Sequence, residues 1–382
     1  MANEKKTVRE PSFILALVPI VAMIGFMLYC FHGHSETGYH DAHLPLVMSI
    51  IVACIVGFIC GHSFQEMLAG MVERLAASME AVLILATVGF LVTSFMLSGA
   101  IPTMIVYGLD LLTPQLFLPV GCILCAIVGM ACGSSWTTTA TIGLAFLGIG
   151  AGLGIPAPIT AGMIISGAYV GDKFSPLSDT TNLAAAVAET GLFDHVTAMV
   201  STTGPTLLLS LILYTILGLN VDTSAYDATV AEGIQEAFRG AFTISPILLL
   251  PIIVVIVMCI LRVPGLVGIA VSVATAVVFM LIFQSTDIYY SRSLGDIFDV
   301  LHYGNAVETG NAVADSILGK AKGMDGMMWT INLILVALAY GGALERCGCI
   351  EKLFGGLKHK IHSVGSLILA TLLTSIFCDA TM

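Results

Sequence analysis

Hydrophobic residues run through this chain in long stretches separated by short polar breaks, not in the short alternating patterns of a soluble sheet or surface helix. Residues 12–31 and 44–61 are each long enough to cross a hydrocarbon layer of about 30 Å as a helix. Residues 65–80 carry Gln65, Glu66, Glu73 and Arg74, a pattern that predicts an amphipathic helix along the membrane interface. A third span, 81–98, is broken at Ser98-Gly99-Ala100-Ile101-Pro102, and a fourth covers 116–132. Residues 183–200 read as a mixed helix and 201–219 as a further span. Two more, 243–261 and 265–283, turn around Arg262-Val263-Pro264. A polar connection over 284–325 leads to a span at 328–344, a basic loop to His362 and a last apolar helix. The predicted fold class is all-α, a polytopic transmembrane helical bundle. Its expected divisions are a cytoplasmic tail (1–11), a first transmembrane repeat (12–219), a polar linker (220–242) and a second repeat (243–382).

Composition agrees. Of 382 residues 57% are hydrophobic and only 10% charged, against about 25% charged in soluble domains. No room is left for a separate soluble domain, and no basic array suggests nucleic acid; the partner is the lipid bilayer. The net charge of −11 says little about ligands, because most acidic residues fall in the polar breaks. The N-terminal run has no small-residue cleavage site before Phe31, so it reads as an uncleaved first span. The ten cysteines lie in or beside apolar runs, and neither Cys122/Cys125 nor Cys347/Cys349 has a second pair at zinc-site spacing, so they read as packing residues. A cytoplasmic N-terminus places Lys5, Lys6, Arg9, Arg74, Arg262, Arg346, Lys352, Lys358 and Lys360 inside, and leaves only Arg239, Arg292, Lys320 and Lys322 outside.

That orientation requires an odd number of crossings in the first half, and a weak internal repeat supports it. Ser98-Gly99-Ala100-Ile101 matches Cys347-Gly348-Cys349-Ile350, each after an apolar span and each followed by Gly-Leu, at 108–109 and 356–357. A further apolar span follows each, ending at Cys132-Gly133-Ser134-Ser135 and at Cys378-Asp379-Ala380-Thr381. Inverted-topology repeats with broken or re-entrant helices are a common build for secondary transporters, with the site at midplane. The second copy stops where the first continues into its polar motifs, which predicts a longer natural chain.

Two polar segments interrupt the apolar background. Residues 133–143 place Ser134, Ser135, Thr137, Thr138, Thr139 and Thr141 close together; such hydroxyls either solvate a small hard cation or let helices pack closely. Residues 166–182 (SGAYVGDKFSPLSDTTN) admit Asp172, Lys173 and Asp179, each costing roughly 2.5–3.5 kcal/mol at the centre of a lipid-facing helix. Gly167, Gly171 and Pro176 predict a helix break, with a first half-helix ending near Asp172-Lys173 and a second starting near 179–181. Lys173 then sits at a negative helix end and Asp179 at a positive one. The two carboxylates, the hydroxyls of Ser175, Ser178, Thr180 and Thr181, the Asn182 amide and freed carbonyls are hard oxygen ligands suited to Na⁺ or H⁺. The bland reading of the same charges is a structural ion network supporting a re-entrant loop. Burial raises a carboxyl's hold on its proton, while a neighbouring ammonium or bound cation weakens it, so such a site can trade a proton for a metal ion.

The string from Gly133 to His195, above all Gly171–Ala184 (GDKFSPLSDTTNLA), resembles the NhaC family of sodium/proton antiporters within the wider ion-transporter superfamily. The resemblance implies secondary transport, not enzymatic chemistry: Na⁺ against H⁺, without a cofactor, in a bacterial or archaeal cytoplasmic membrane. A homodimer is compatible with it. On this reading Asp172 and Asp179 are the titrating Na⁺ ligands, Lys173 the electrostatic tuner, and Ser178, Thr181, Asn182 and Ser175 neutral ligands. Ser135 and Thr138 would complete the shell from the neighbouring helix. Related members exchange carboxylates, such as malate against lactate, and the motif alone does not separate the two substrates. An intramembrane aspartyl protease, the remote alternative, needs Gly-x-Gly-Asp, and here Tyr169 stands in place of the first glycine. His32, His34, His40 and His43 titrate near neutrality but read more simply as an ordinary polar loop.

Overall fold

A computed structural model describes residues 9–32, 41–175, 178, 180–181, 184–185, 190–220, 228–261, 263–285, 293–304, 307–358 and 363–381. Among the described residues every regular element is helical. In chain order these are α1 (Phe13–His32), α2 (His43–Ile59), α3 (Phe64–Ala77), α4 (Met79–Leu97), α5 (Ala100–Leu111) and α6 (Pro114–Cys132). A short α7 (Ser135–Thr138) runs through a π turn (Thr139–Gly143) into α8 (Leu144–Gly152), followed by α9 (Ala157–Phe174), α10 (Leu192–Leu219) and α11 (Ala228–Ala241). A 3₁₀ turn (Pro246–Leu249) opens α12 (Leu250–Ile260), and α13 (Gly265–Phe283), α14 (Leu294–Tyr303), α15 (Ala312–Leu318), α16 (Asp325–Arg346), α17 (Cys349–Lys358) and α18 (Val364–Thr381) complete the chain. Among the described residues, four helices (α1, α10, α13 and α16) contain stretches long and apolar enough to cross a membrane, or up to six spans if two bent helix pairs each count as one.

The chain forms two compact units, residues 1–83 with 328–382, and residues 84–327. In the first, α1 packs on α2 around Ala16, Met23, Leu46, Ala53 and Val56, and α17 lies against α1. A capping box starts α3: the Ser63 hydroxyl accepts from the Glu66 backbone while Glu66 accepts from the Ser63 backbone at 2.8 Å, satisfying two amides that no helical turn can reach. The amphipathic helix expected at 65–80 thus lies within two to three residues of its expected bounds.

The second unit is built around α5 and the α6–α9 pair. Helix α5 follows a left-handed glycine, Gly99 (φ 82°), and buries Ala100, Ile101, Ile105 and Val106 completely. The break frees backbone groups, and Gln284 takes them up: its Nε2 donates to the Ser98 carbonyl at 2.9 Å and its Oε1 accepts from the Thr243 amide at 2.9 Å. Three elements of this unit differ from expectation. The expected linker contains α11, whose Ala231, Ile234 and Phe238 form a buried stripe against α5 under a charged exterior. Residues 192–219, expected as parts of two helices, form the single helix α10; Ser201 and Thr202 return their hydroxyls to carbonyls of the preceding turn instead of breaking it. The polar connection at 284–325 contains α14 and α15.

Candidate functional site

The carboxylate that the apolar background singles out, Asp172, lies in the last turn of α9 and is 4% exposed. It is held there by the way α9 meets α6. A Cβ at Gly171 would lie 2.2 Å from the Ala126 carbonyl oxygen and 2.7 Å from the Met130 nitrogen, and one at Gly167 would lie 2.3 Å from the Cys122 carbonyl. From the other side, a Cβ at Gly129 would lie 2.7 Å from the Ala168 carbonyl. The two backbones touch along a seam that only glycine permits, the small-residue packing of membrane helices. Gly171 lies inside α9, which continues to Phe174, one residue beyond the helix end expected near Asp172-Lys173; its part is the close approach to α6. Pro176, the other expected breaker, lies outside the described residues.

Beyond Phe174 the chain is no longer helical at Ser175 and Ser178, whose side chains are fully buried. The Ser175 amide reaches back to the Asp172 carbonyl at 3.1 Å, and the Ser178 amide to the Ser175 carbonyl at 3.2 Å, so the terminus winds down through tight turns. This folds the following residues over the end of α9. Thr180 donates to Asp172 Oδ2 at 3.4 Å, Ser178 and Thr180 hydroxyls stand 3.0 Å apart, and Thr181 donates to the Asp172 and Lys173 carbonyls at 3.4 and 3.5 Å. Lys173 Nζ lies 4.0 Å from Asp172 Oδ2 and donates to Thr180 Oγ1 at 2.7 Å. A buried carboxylate unpaired in an apolar bundle would cost several kcal/mol, and the ammonium with the hydroxyl relieves that cost. The Lys173 side chain, 34% exposed, also completes the last turn of α9 at the negative end of its dipole.

Of the residues expected at the site, the fold brings together Asp172, Lys173, Ser175, Ser178 and Thr181; Asp179 and Asn182 lie outside the described residues. Thr180, counted from sequence only among the hydroxyls, is the group that bridges Asp172 and Lys173. The hydroxyl-rich run packs against α9 through α7 and the π turn. Its side chains largely serve their own helix: Thr138 donates to the Ser134 carbonyl at 2.9 Å, Thr139 to Ser135 at 2.8 Å and Thr141 to Thr137 at 2.7 Å. Among the described residues, neither Ser135 nor Thr138 is hydrogen-bonded to Asp172. The signal sequence reading passed over was the small-residue spacing of Cys125 and Gly129 on α6 against Gly167 and Gly171 on α9. Such a cluster of carboxylate, carbonyl and hydroxyl oxygens suits a small hard cation. Among the described residues no group of three or more His, Cys, Asp or Glu could hold a transition metal.

Comparison with known proteins gives this geometry a context. An arginine/ornithine antiporter of Halobacterium salinarum is 35% identical over 375 residues, 97% of this chain and 75% of the relative. The Na⁺/H⁺ antiporter NhaC of Alkalihalophilus pseudofirmus is 34% identical over 336 residues, 88% of this chain and 71% of the relative. A malate-2H⁺/Na⁺-lactate antiporter of Bacillus subtilis is 31% identical over 376 residues, 98% and 78% respectively. No solved structure matches. The model of the Na⁺/H⁺ antiporter family matches residues 167–382, a stretch that opens on the first glycine of the α9 seam, and the chain belongs to that family.

Proposed function

We propose that this protein exchanges Na⁺ for H⁺ across the cytoplasmic membrane by alternating access around Asp172. The observation that carries the reading is a buried carboxylate at a helix end, met by the Thr180 hydroxyl, which Ser178 in turn contacts, and by Lys173 Nζ 4.0 Å away. Na⁺, a proton and the Lys173 ammonium compete for the same oxygen atoms, and that competition couples the two ions. Asp179 is the second titrating ligand in this scheme, with Ser175, Thr181 and Asn182 as neutral ligands. Ser135 and Thr138 serve as ligands only after their helix shifts, because Thr138 is spent on Ser134 at present.

The inverted repeat belongs to the same reading. Helix α4, left-handed Gly99, α5 and α6 recur in order as α16, left-handed Gly348, α17 and α18. The N-terminus is placed in the cytoplasm by the distribution of Lys and Arg. A carboxylate exchanger is the second reading, favoured by the malate/lactate relative; Lys173 supplies the donor an anion needs.

The experiment uses the full chain in vesicles holding an acid-inside pH gradient. Na⁺ alone is expected to collapse the gradient, and Asp172→Asn to abolish the collapse while the protein stays inserted. A gradient unmoved until malate or lactate is added would overturn the cation-only reading in favour of carboxylate exchange. Full activity in Asp172→Asn would remove Asp172 from the site.

A further inference from the structure

In the unit formed by residues 1–83 and 328–382, α3 and α16 cross in close contact. A Cβ at Gly70 would lie 3.0 Å from the Gly342 carbonyl, and one at Gly342 would lie 2.6 Å from that of Gly70. Beside the crossing is a cleft of about 520 Å³, in the range of small-ligand sites. Its walls carry His62, Glu66, Glu73 and Arg74 on one side and Glu345 and Arg346 on the other. Arg74 pairs with Glu345 at 3.2 Å, while Glu66 is engaged by the Ser63 backbone at 2.8 Å and faces His62 at 3.7 Å. Two exposed charges remain: among the described residues neither Arg346 nor Glu73 has an ion-pair partner. A guanidinium and a carboxylate facing one cleft complement a ligand that carries a fixed anion and a primary ammonium together.

The same helix indicates where that ligand comes from. Phe64, Leu68 and Val72, spaced four apart on α3, are 58%, 45% and 54% exposed. An apolar stripe on a helix that bears Glu and Arg on another face seats at the boundary between headgroups and acyl chains. We propose that the cleft holds the headgroup of an aminophospholipid, its phosphate on Arg346 and its ammonium on Glu73. Guanidinium takes phosphate by paired hydrogen bonds, and a primary ammonium can donate to Glu73 where a quaternary one has no hydrogen to give.

The test is lipid retention by the full chain, measured by native mass spectrometry after equilibration with vesicles of phosphatidylethanolamine or of phosphatidylcholine. Retention does not depend on which ions the protein moves, so it can fail separately from the antiport reading. The expected result is several-fold greater retention of phosphatidylethanolamine, a preference lost in Glu73→Gln and Arg346→Gln and kept in Arg239→Gln. Equal retention of both lipids, or unchanged preference in the two cleft variants, overturns the proposal. Binding of soluble glycerophosphoethanolamine without any lipid preference overturns the lipid assignment.

Discussion

Residues 79–132 and 325–381 follow one plan: a helix, a turn with a left-handed glycine, a short helix and a longer one. Their surroundings differ. At Gly99 an added Cβ would lie 2.4 Å from Gln284 Nε2, 3.1 Å from Leu248 and 3.2 Å from the Thr243 carbonyl. At Gly348, among the described residues, it would meet only Pro11, at 3.5 Å. Helix α5 is apolar and largely buried from Ala100 to Leu109, whereas α17 carries Glu351 and Lys352 outward. Helix α6 buries Phe117, Leu118 and Cys122 and forms the seam with α9, while α18 exposes Leu367, Ile368, Leu369, Leu372 and Leu373. One backbone plan thus supports two uses. The first stretch packs its glycine turn tightly against Gln284; the second keeps the turn geometry between buried Cys347 and Cys349 but with room for a Cβ at the glycine itself.

If the first copy exists to hold α9, its seam is the most sensitive point. Gly171→Ala is expected to cost more than the 1–3 kcal/mol usual for overpacking, because its clash is with backbone that cannot rotate away. Exchange in vesicles should be lost, and little folded protein recovered on size-exclusion chromatography. Gly162→Ala, on the same helix but 3.6 Å from its nearest neighbour, Tyr214 Oη, should behave as the parent. Equal behaviour of the two variants would break the comparison.

The glycine turns come next. Gly348→Ala bears only the strain of an L-residue in the left-handed region, about 1–2 kcal/mol. Gly99→Ala bears that strain and also displaces the Gln284 amide, so thermal melting in detergent should fall further for Gly99→Ala than for Gly348→Ala. Removing the amide itself sharpens this: Gln284→Ala leaves the Ser98 carbonyl and the Thr243 amide without this partner and should cost about 1–3 kcal/mol. Unchanged melting in Gln284→Ala would mean the first turn is no better sealed than the second.

These turns also separate what sequence conveys from what it hides. Long apolar runs fixed the spans at 12–31, 81–98, 116–132 and 265–283 to within a few residues, because no other arrangement buries so much apolar surface. The break at Gly99 was legible from its small residues and Pro102. Gly171 was not: a glycine that bends the chain and one that admits a neighbouring backbone are the same letter. In α11 the numerous charges masked an apolar stripe at 231, 234 and 238 that only its partner α5 makes meaningful. At the site, the charges of Asp172 and Lys173 announced themselves against an apolar background, whereas the bridging place of Thr180 depends on how the chain turns after Phe174.

The smallest expected effect concerns how the second copy is anchored. Asp41 accepts from Trp329 Nε1, near the start of α16, at 3.1 Å and is hydrogen-bonded to His43. These bonds, that to His43 foremost, hold the Asp41 carboxyl below its ordinary value of 3.8. A depressed carboxyl contributes stability that is full above the ordinary value and is lost as pH falls through the folded one. Asp41→Asn should therefore lower the melting point by about a degree at pH 7. The gap should close as pH falls below the ordinary 3.8 and on through the lower folded value. A gap that persists in acid would assign the effect to shape instead of charge.

The Gln284 side chain has a mechanical consequence. By bonding Ser98 and Thr243 together, while Thr243 Oγ1 donates to the Phe283 carbonyl at 2.8 Å, it rivets the end of α4, the segment after α11 and the end of α13 into one node. A transport cycle must move some helices past others, and this node cannot be a hinge without tearing a buried amide from its partners. Motion is then directed to other joints of this unit, away from the end of α4 and the end of α13.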